Sequence, residues 1–347
     1  MRTLLASSVL AVSVCAVAGA DPQPKQLEGS LDAHARLLAP IQVKSLTLLP
    51  IAAVDPPKQT EDLLVLDEAM PKKLVSIKEV EGGEVNSLTL TNKADKPLFL
   101  LAGEVIIGGH QDRIIGSNTV IPAKTTQSVP VFCVEHGRWN GPSNEFTTAK
   151  ALAHGRLRGH AAFDTQQDVW NEVATKNEKR KTTSATDTYR KVALSEADGS
   201  LGGDWKKQVD AALAKLPAED RANLIGFAVA VDGKVATIDR FGSPALFGKL
   251  EDKLVRSYIT EAVDVKSTGK AAPTAADVKA FVADAEKAKT EEAYETRAAS
   301  TELKKGHFAA KAKVMYKPAA KSAGITGAAP AAAPPADTDV YETYQAR

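Results

Sequence analysis

The sequence predicts an α+β fold: an N-terminal antiparallel β-sandwich-like region, then helices and a β-hairpin-plus-helix unit, and finally a disordered C-terminal tail. Three observations predict it. Between residues 43 and 135 the chain is a series of short apolar or alternating runs, rich in β-branched residues and Leu and separated by turn formers. Beyond Gly141 the apolar period becomes helical. Residues 317–340 are rich in Ala, Pro and Gly and lack the side chains to build a core.

The first twenty residues read as a secretory signal, with Arg2 as the positive start, an apolar run over 4–17, and Ala18-Gly19-Ala20 as a small-residue cleavage site before Asp21. The run is shorter than a membrane span, so no transmembrane anchor is expected after cleavage. The expected location is therefore periplasmic or extracellular. Residues 21–42, with Pro22 and Pro24, read as a linker. Strands are expected at 43–51, 63–66, 73–80, 85–91, 98–101, 114–121 and 128–134, with turns at Gly82-Gly83, 93–97 and Pro122-Ala123. Asp164-Thr165 can cap a helix whose Val169, Trp170 and Val173 share one face, and a second helix is expected over 204–216, ending before Pro217.

The strongest local signal follows. Residues 224–231 and 235–241 are two strands around the hairpin turn Asp232-Gly233. Ser243-Pro244 then caps a helix with Leu246, Leu250, Leu254 and Tyr258 at four-residue spacing and Glu251, Lys253 and Arg256 elsewhere. A charged helix is expected over 275–299, a last strand at 313–316, and a disordered tail over 317–347. On this reading 43–316 is one composite domain, β-rich over 43–140 and mixed over 141–316.

Composition narrows the function. The chain has 347 residues, 25% charged and 44% hydrophobic, with net charge +1, that of an ordinary soluble globular protein. A balanced charge gives no electrostatic pull toward nucleic acid, which is not expected as a partner. Loss of Cys15 with the signal leaves Cys133 alone, so no internal disulfide is expected. GxGxxG, Walker and GxSxG motifs are absent, which removes support for dinucleotide dehydrogenases, P-loop enzymes and the usual serine hydrolases; no motif names a cofactor.

Charges interrupt the β-like runs in two places: Gly103-Glu104 leading to Gly108-Gly109-His110-Gln111-Asp112-Arg113, and residues 130–139, which hold Cys133, Glu135, His136, Arg138 and Trp139. Charges in apolar context need partners. One reading is a ligand site: Gly108 and Gly109 allow close backbone approach, Arg113 and Arg138 offer forked donors to phosphate or carboxylate, Gln111 adds amide bonds, and Trp139 stacks on a ring. The other is scaffold, with Glu104 paired to Arg113 and Glu135 to Arg138. Glu104, Cys133, Glu135 and His136 are candidates for acid/base or nucleophilic chemistry, although a lone cysteine in a strand is commonly a buried hydrophobe. His110, His136, Glu104 and Glu135 lack a short metal-ligand spacing, and no metal site is read there. The basic run 154–160 can meet phosphate or simply be solvated.

These segments resemble the ARPP domain, a bacterial family of unknown biochemical function named for its association with ADP-ribosylglycohydrolase and rhodanese-phosphatase proteins. The resemblance rests on Leu66-Asp67-Glu68-Ala69, Leu101-Ala102-Gly103-Glu104, Gly108 through Arg113, residues 130–139 and the run from Gly226 to Lys234. It covers about 43–263, and more weakly extends to 316. It implies an ADP-ribose-like or nucleotide-derived ligand and supplies no catalytic residues. The favoured expectation is an exported binding module for an anionic small molecule. A hydrolytic enzyme using the same polar cleft and a cell-envelope interaction protein with the tail as spacer are the alternatives.

Overall fold

The computed structural model describes residues 29–55, 62–80, 82, 84–138, 141, 143–295, 299–317 and 338–347. The expected signal over 1–20, the first eight residues of the expected linker (21–28) and Trp139 lie outside them. The fold is α+β, built on two main antiparallel sheets.

From the N-terminus, β1 (Gly29–Ser30), β2 (Ala35–Leu37), β3 (Ile41–Val43) and β4 (Leu46–Ala53) form one edge of a ten-stranded sheet. The expected linker is corrected here: from Gly29 it is sheet, because Ala35, Leu37, Ile41 and Val43 alternate into the core. A single turn of helix, α1 (Leu66–Ala69), then leads to the second sheet.

Eight strands follow: β5 (Val75–Glu79), β6 (Ser87–Asn92), β7 (Leu98–Leu100), β8 (Glu104–Gly108), β9 (Arg113–Ile115), β10 (Thr119–Ile121), β11 (Thr125–Cys133) and β12 (Phe146–Leu152). β7 and β10 pair with each other, and the other six form a sheet in the order β12-β8-β9-β11-β6-β5. A bridge between Lys78 and Glu145, with Glu79 N–H donating to Asn144 O at 2.9 Å, joins the two edges and curls this sheet into a small barrel. Alternation sets its two faces. Ile77, Leu90, Ile106, Ile115 and Val131 fill the interior, whereas Val105 and Ile114 turn outward under the helices.

Those helices are α2 (Gly155–Phe163), α3 (Gln166–Arg180) and α4 (Arg190–Ala197); α5 (Gly203–Leu213) packs Trp205, Val209 and Leu213 into the core of the first sheet, and α6 (Ala218–Ala222) buries no residue. α3 starts as expected, with a Thr165/Asp168 capping box. The chain then returns to the first sheet as the hairpin β13 (Leu224–Val231) and β14 (Lys234–Phe241), turning through Asp232 and Gly233, both at positive φ. β13 pairs with β4 from Leu224 to Val231, so the two halves of the chain share a sheet.

α7 (Pro244–Ala262) is capped by Ser243, whose Oγ accepts from Leu246 N–H at 3.2 Å. It lays Leu250, Leu254 and Tyr258 on one face of the ten-stranded sheet, against Leu46, Leu48 and Phe227. α8 (Ala275–Glu286) covers the other face with Val278, Phe281 and Ala285 against Leu49, Ile51 and Ala228. Each such burial contributes about 1.5–3 kcal/mol. The helix expected to run to 299 ends at Glu286, where its apolar stripe stops. β15 (Thr290–Glu295), β16 (Ala299–Lys305) and β17 (Ala309–Tyr316) follow as a meander.

The expected disordered tail is also corrected. Residues 318–337 lie outside the described residues, but β18 (Thr338–Ala346) is inserted between β14 and β17 in the middle of the sheet. Val340, Tyr341 and Tyr344 supply the apolar side chains that the run before them lacks. Among the described residues no helix is long and apolar enough to cross a membrane.

Candidate functional site

The two charged segments meet at one end of the barrel. β8 ends in Gly108, the chain turns through Gly109 to Asp112, and β9 starts at Arg113. Gly108 has φ 130° and Gly109 φ 49°. A side chain at Gly108 would press on Glu145 O at 2.5 Å, and one at Gly109 would collide with the Phe146 ring, so both positions require glycine. The close approach that these glycines permit is to the chain's own 145–146 segment.

Asp112 anchors the turn. Its carboxylate accepts from Gly108 N–H at 3.2 Å, Thr188 Oγ1 at 2.9 Å and the Arg190 guanidinium at 2.8 and 2.5 Å. Its own N–H donates to Glu135 at 3.1 Å. Arg138 pairs with Glu135 at 2.8 Å and donates to Gly109 O at 3.0 Å. The Glu135–Arg138 pair therefore forms, and it holds the loop against the turn. Gln111 donates from Nε2 to Glu135 O at 2.8 Å. His136 places its ring edge-on to Trp170, with centroids 4.6 Å apart. His110 N–H donates to Glu79 at 2.7 Å.

Arg113 differs from its neighbours. The strand register pairs it with Cys133, and alternation with Ile115 turns it into the barrel. It is fully buried, and its Nη1 donates to Gln111 Oε1 at 3.2 Å, while Nε and Nη2 have no hydrogen-bond partner among the described residues. These two nitrogens form one edge of the guanidinium fork, the edge that donates side-on to two oxygens of a carboxylate or phosphate. Glu79, at the end of β5 on the same interior face as Ile77, completes the polar mouth of the barrel.

Cys133 lies beside Arg113 and is fully buried. Burial pushes its thiol up, against the opposing charge of Arg113, which keeps it a thiol and not a thiolate. Gln166 brackets its backbone, accepting from Cys133 N–H at 2.8 Å and donating to its carbonyl at 2.9 Å.

Glu104 belongs elsewhere. It opens β8 where Gly108 closes it, and its partner is not Arg113 but Lys253 of α7, at 2.5 Å. Lys253 also meets Asp67 at 2.8 Å, and Asp67 accepts from Thr148 Oγ1 at 2.6 Å. Burial raises the Glu104 carboxyl against the pull of Lys253. Burial likewise opposes the Lys253 charge, but Glu104 and Asp67 outweigh it and hold the ammonium charged. The motif segments 66–69 and 101–104 thus converge on a lysine that the sequence reading left on the polar side of its helix. The signal was present: Lys253 stands three residues after Leu250 and seven after Leu246, on the buried face.

Two basic side chains of the run 154–160, His154 and Arg158, also turn inward. Arg158 is gripped side-on by Asp239, with both bonds at 2.9 Å, and donates to Tyr341 at 2.8 Å. Glu261 accepts from Arg156 N–H at 3.0 Å and so already supplies an anion at the start of α2. Burial holds the His154 imidazole down at about 3, so it is neutral, donating from Nε2 to Glu172 at 2.8 Å and accepting at Nδ1 from Tyr189 at 2.9 Å. Among the described residues no group of three or more His, Cys, Asp or Glu is placed to hold a metal ion.

No curated protein and no solved structure matches the chain. The model of the ARG and Rhodanese-Phosphatase-superfamily-associated Protein domain matches residues 34–323. That span includes the glycine turn, the 133–138 segment and the Asp67–Glu104–Lys253 cluster, and the chain belongs to this family.

Proposed function

We propose that the protein is a binding module for an anionic small molecule, whose acid group is taken by Arg113 at the mouth of the barrel. The observation that carries this reading is the fully buried guanidinium with Nε and Nη2 unpaired. A buried cation without a counter-charge is costly, and a ligand acid would both neutralise it and fill its free fork. The surrounding arginines are already engaged, which leaves Arg113 as the group open to a ligand. Its neighbours Gln111, Asp112, Glu135 and Arg138 hold the turn in place.

Nucleotide- and ADP-ribose-like molecules remain the first ligands to try. The segment 1–20 supports export, which would place the ligand outside the cytoplasm. The hydrolytic reading has less support, because Cys133 is held as a buried thiol and Glu104 is engaged by Lys253 away from the turn.

Thermal unfolding in the presence of ADP-ribose, mononucleotides, sugar phosphates and carboxylates tests the reading. A ligand at about 100 times its Kd stabilises the folded state by about 2.7 kcal/mol. The expected result is a concentration-dependent rise for one class that disappears in Arg113→Met. A flat response across the panel, or a rise that survives in Arg113→Met, refutes it.

A further inference from the structure

We propose that a cleft between the barrel and the outer strands of the ten-stranded sheet is a second binding site, for an uncharged, mainly apolar small molecule that accepts a hydrogen bond from Asn118. This cleft is separate from the mouth at Arg113, and the inference does not depend on that reading.

The cleft has a volume of about 400 Å³, within the range of small-molecule sites. β11, the end of α2 and the β16–β17 ribbon wall it, with Pro130, Phe132, Phe163 and Leu303 as its larger apolar side chains. Small residues keep it open. Gly116, Ala161, Ala162 and Ala312 stand where larger side chains would close it, and a Cβ at Gly116 would meet the Phe132 ring at 3.2 Å.

Its polar groups select against ions. Lys305 is paired with Glu291 at 3.5 Å and Asp164 with His160 at 2.8 Å, so the charges at the rim already have counter-charges. Asn118, 3% exposed, lines the cleft. Its Oδ1 accepts from Ala102 N–H at 2.8 Å, which fixes the plane of the amide and leaves Nδ2 with no hydrogen-bond partner among the described residues. A mainly apolar enclosure with an uncharged donor suits a neutral ring bearing a carbonyl.

Saturation-transfer NMR on the full-length chain, titrating acetophenone, toluene and benzoate, tests the site. Acetophenone is expected to bind roughly fivefold tighter than toluene, the margin of one hydrogen bond, and benzoate weakest of the three. Replacing Asn118 would strand the buried Ala102 N–H, so the variant to use is Ala162→Leu. Ala162 is half-buried, and a larger side chain there fills the cleft without disturbing the core. Ala162→Leu is expected to weaken acetophenone at least tenfold with an unchanged Tm, while Arg113→Met leaves its binding unaltered. Absence of transfer to acetophenone in the wild type, unchanged binding in Ala162→Leu, or a preference for benzoate overturns the proposal.

Discussion

Replacing Arg113 with Met should stabilise the ligand-free protein. In the wild type two buried nitrogens of a cation have no acceptor among the described residues. An unsatisfied buried donor costs about 1–3 kcal/mol, so relieving both yields roughly 2–6 kcal/mol. Against this, the variant strands Gln111 Oε1, which accepts from Arg113 at 3.2 Å, at a cost of about 1–3 kcal/mol. Methionine occupies much of the same volume beside Ile106, the register partner of Arg113, and Ile115, so little cavity penalty is expected. The net expectation is a gain of about 1–3 kcal/mol, read as a higher urea midpoint at constant m. A loss of about 2 kcal/mol or more would refute the reasoning, because it would mean that Arg113 has an internal counter-charge in solution. A residue that lowers stability while making one internal bond is what a ligand-binding arginine should be, so the same variant links stability to function.

Three further predictions concern the buried ionisable groups. Against the burial that would raise it, Arg158, Tyr258 and Tyr341 hold the Asp239 carboxyl below the usual range, and Asp239→Asn should cost about 3–5 kcal/mol in urea denaturation. A depressed folded-state value stabilises above the unfolded carboxylate range, near pH 4, and that stabilisation is lost as pH falls through the lower folded value, so the variant should show a shallower acid limb. Burial pushes the Glu196 carboxyl up to about 8, so stability from this site is complete below about pH 4 and lost as pH rises to about 8; Glu196→Gln, which keeps the acceptor for Leu152 N–H, should flatten urea midpoints across that window. Lys253→Met leaves Glu104 buried without its cation and should cost about 3–5 kcal/mol, whereas the double variant with Glu104→Leu should recover most of the loss.

What the sequence made legible was local. The hairpin over 224–241 and the helix after Ser243 were readable because turn, cap and apolar period lie within a few residues of one another. Glu135–Arg138 was readable as a pair because three residues separate its members. The scaffold reading pairs Glu104 with Arg113, nine residues away, when its partner lies 149 residues along the chain. Strand pairings of long range were hidden for the same reason. Phe146–Leu152 contains Ala and Lys and follows a change to helical period, yet it forms β12, because pairing with β8 outweighs local propensity. Arg113 is legible as a forked donor, but only the barrel's alternation shows that it points inward, with Nε and Nη2 lacking hydrogen-bond partners among the described residues.

The C-terminal segment is where composition misled most, and it yields a sharp test. A chain ending at Tyr316 should fail to fold, although the residues just after that point look dispensable. β18 shares five paired positions with β14 and eight with β17, so its loss unpairs both neighbours in mid-sheet. Val340, Tyr341 and Tyr344 are each at least 96% buried; together they contribute about 5–9 kcal/mol, most of a typical total stability of 5–15 kcal/mol. Removing Tyr341 also takes one of the three side chains that hydrogen-bond Asp239, weakening a buried charge that Arg158 and Tyr258 would then hold alone. Circular dichroism with thermal melting decides the matter. Absence of a cooperative transition in the truncated chain is expected, and a melt within a few degrees of the full chain would show that β18 is an accessory strand and that the sheet closes without it.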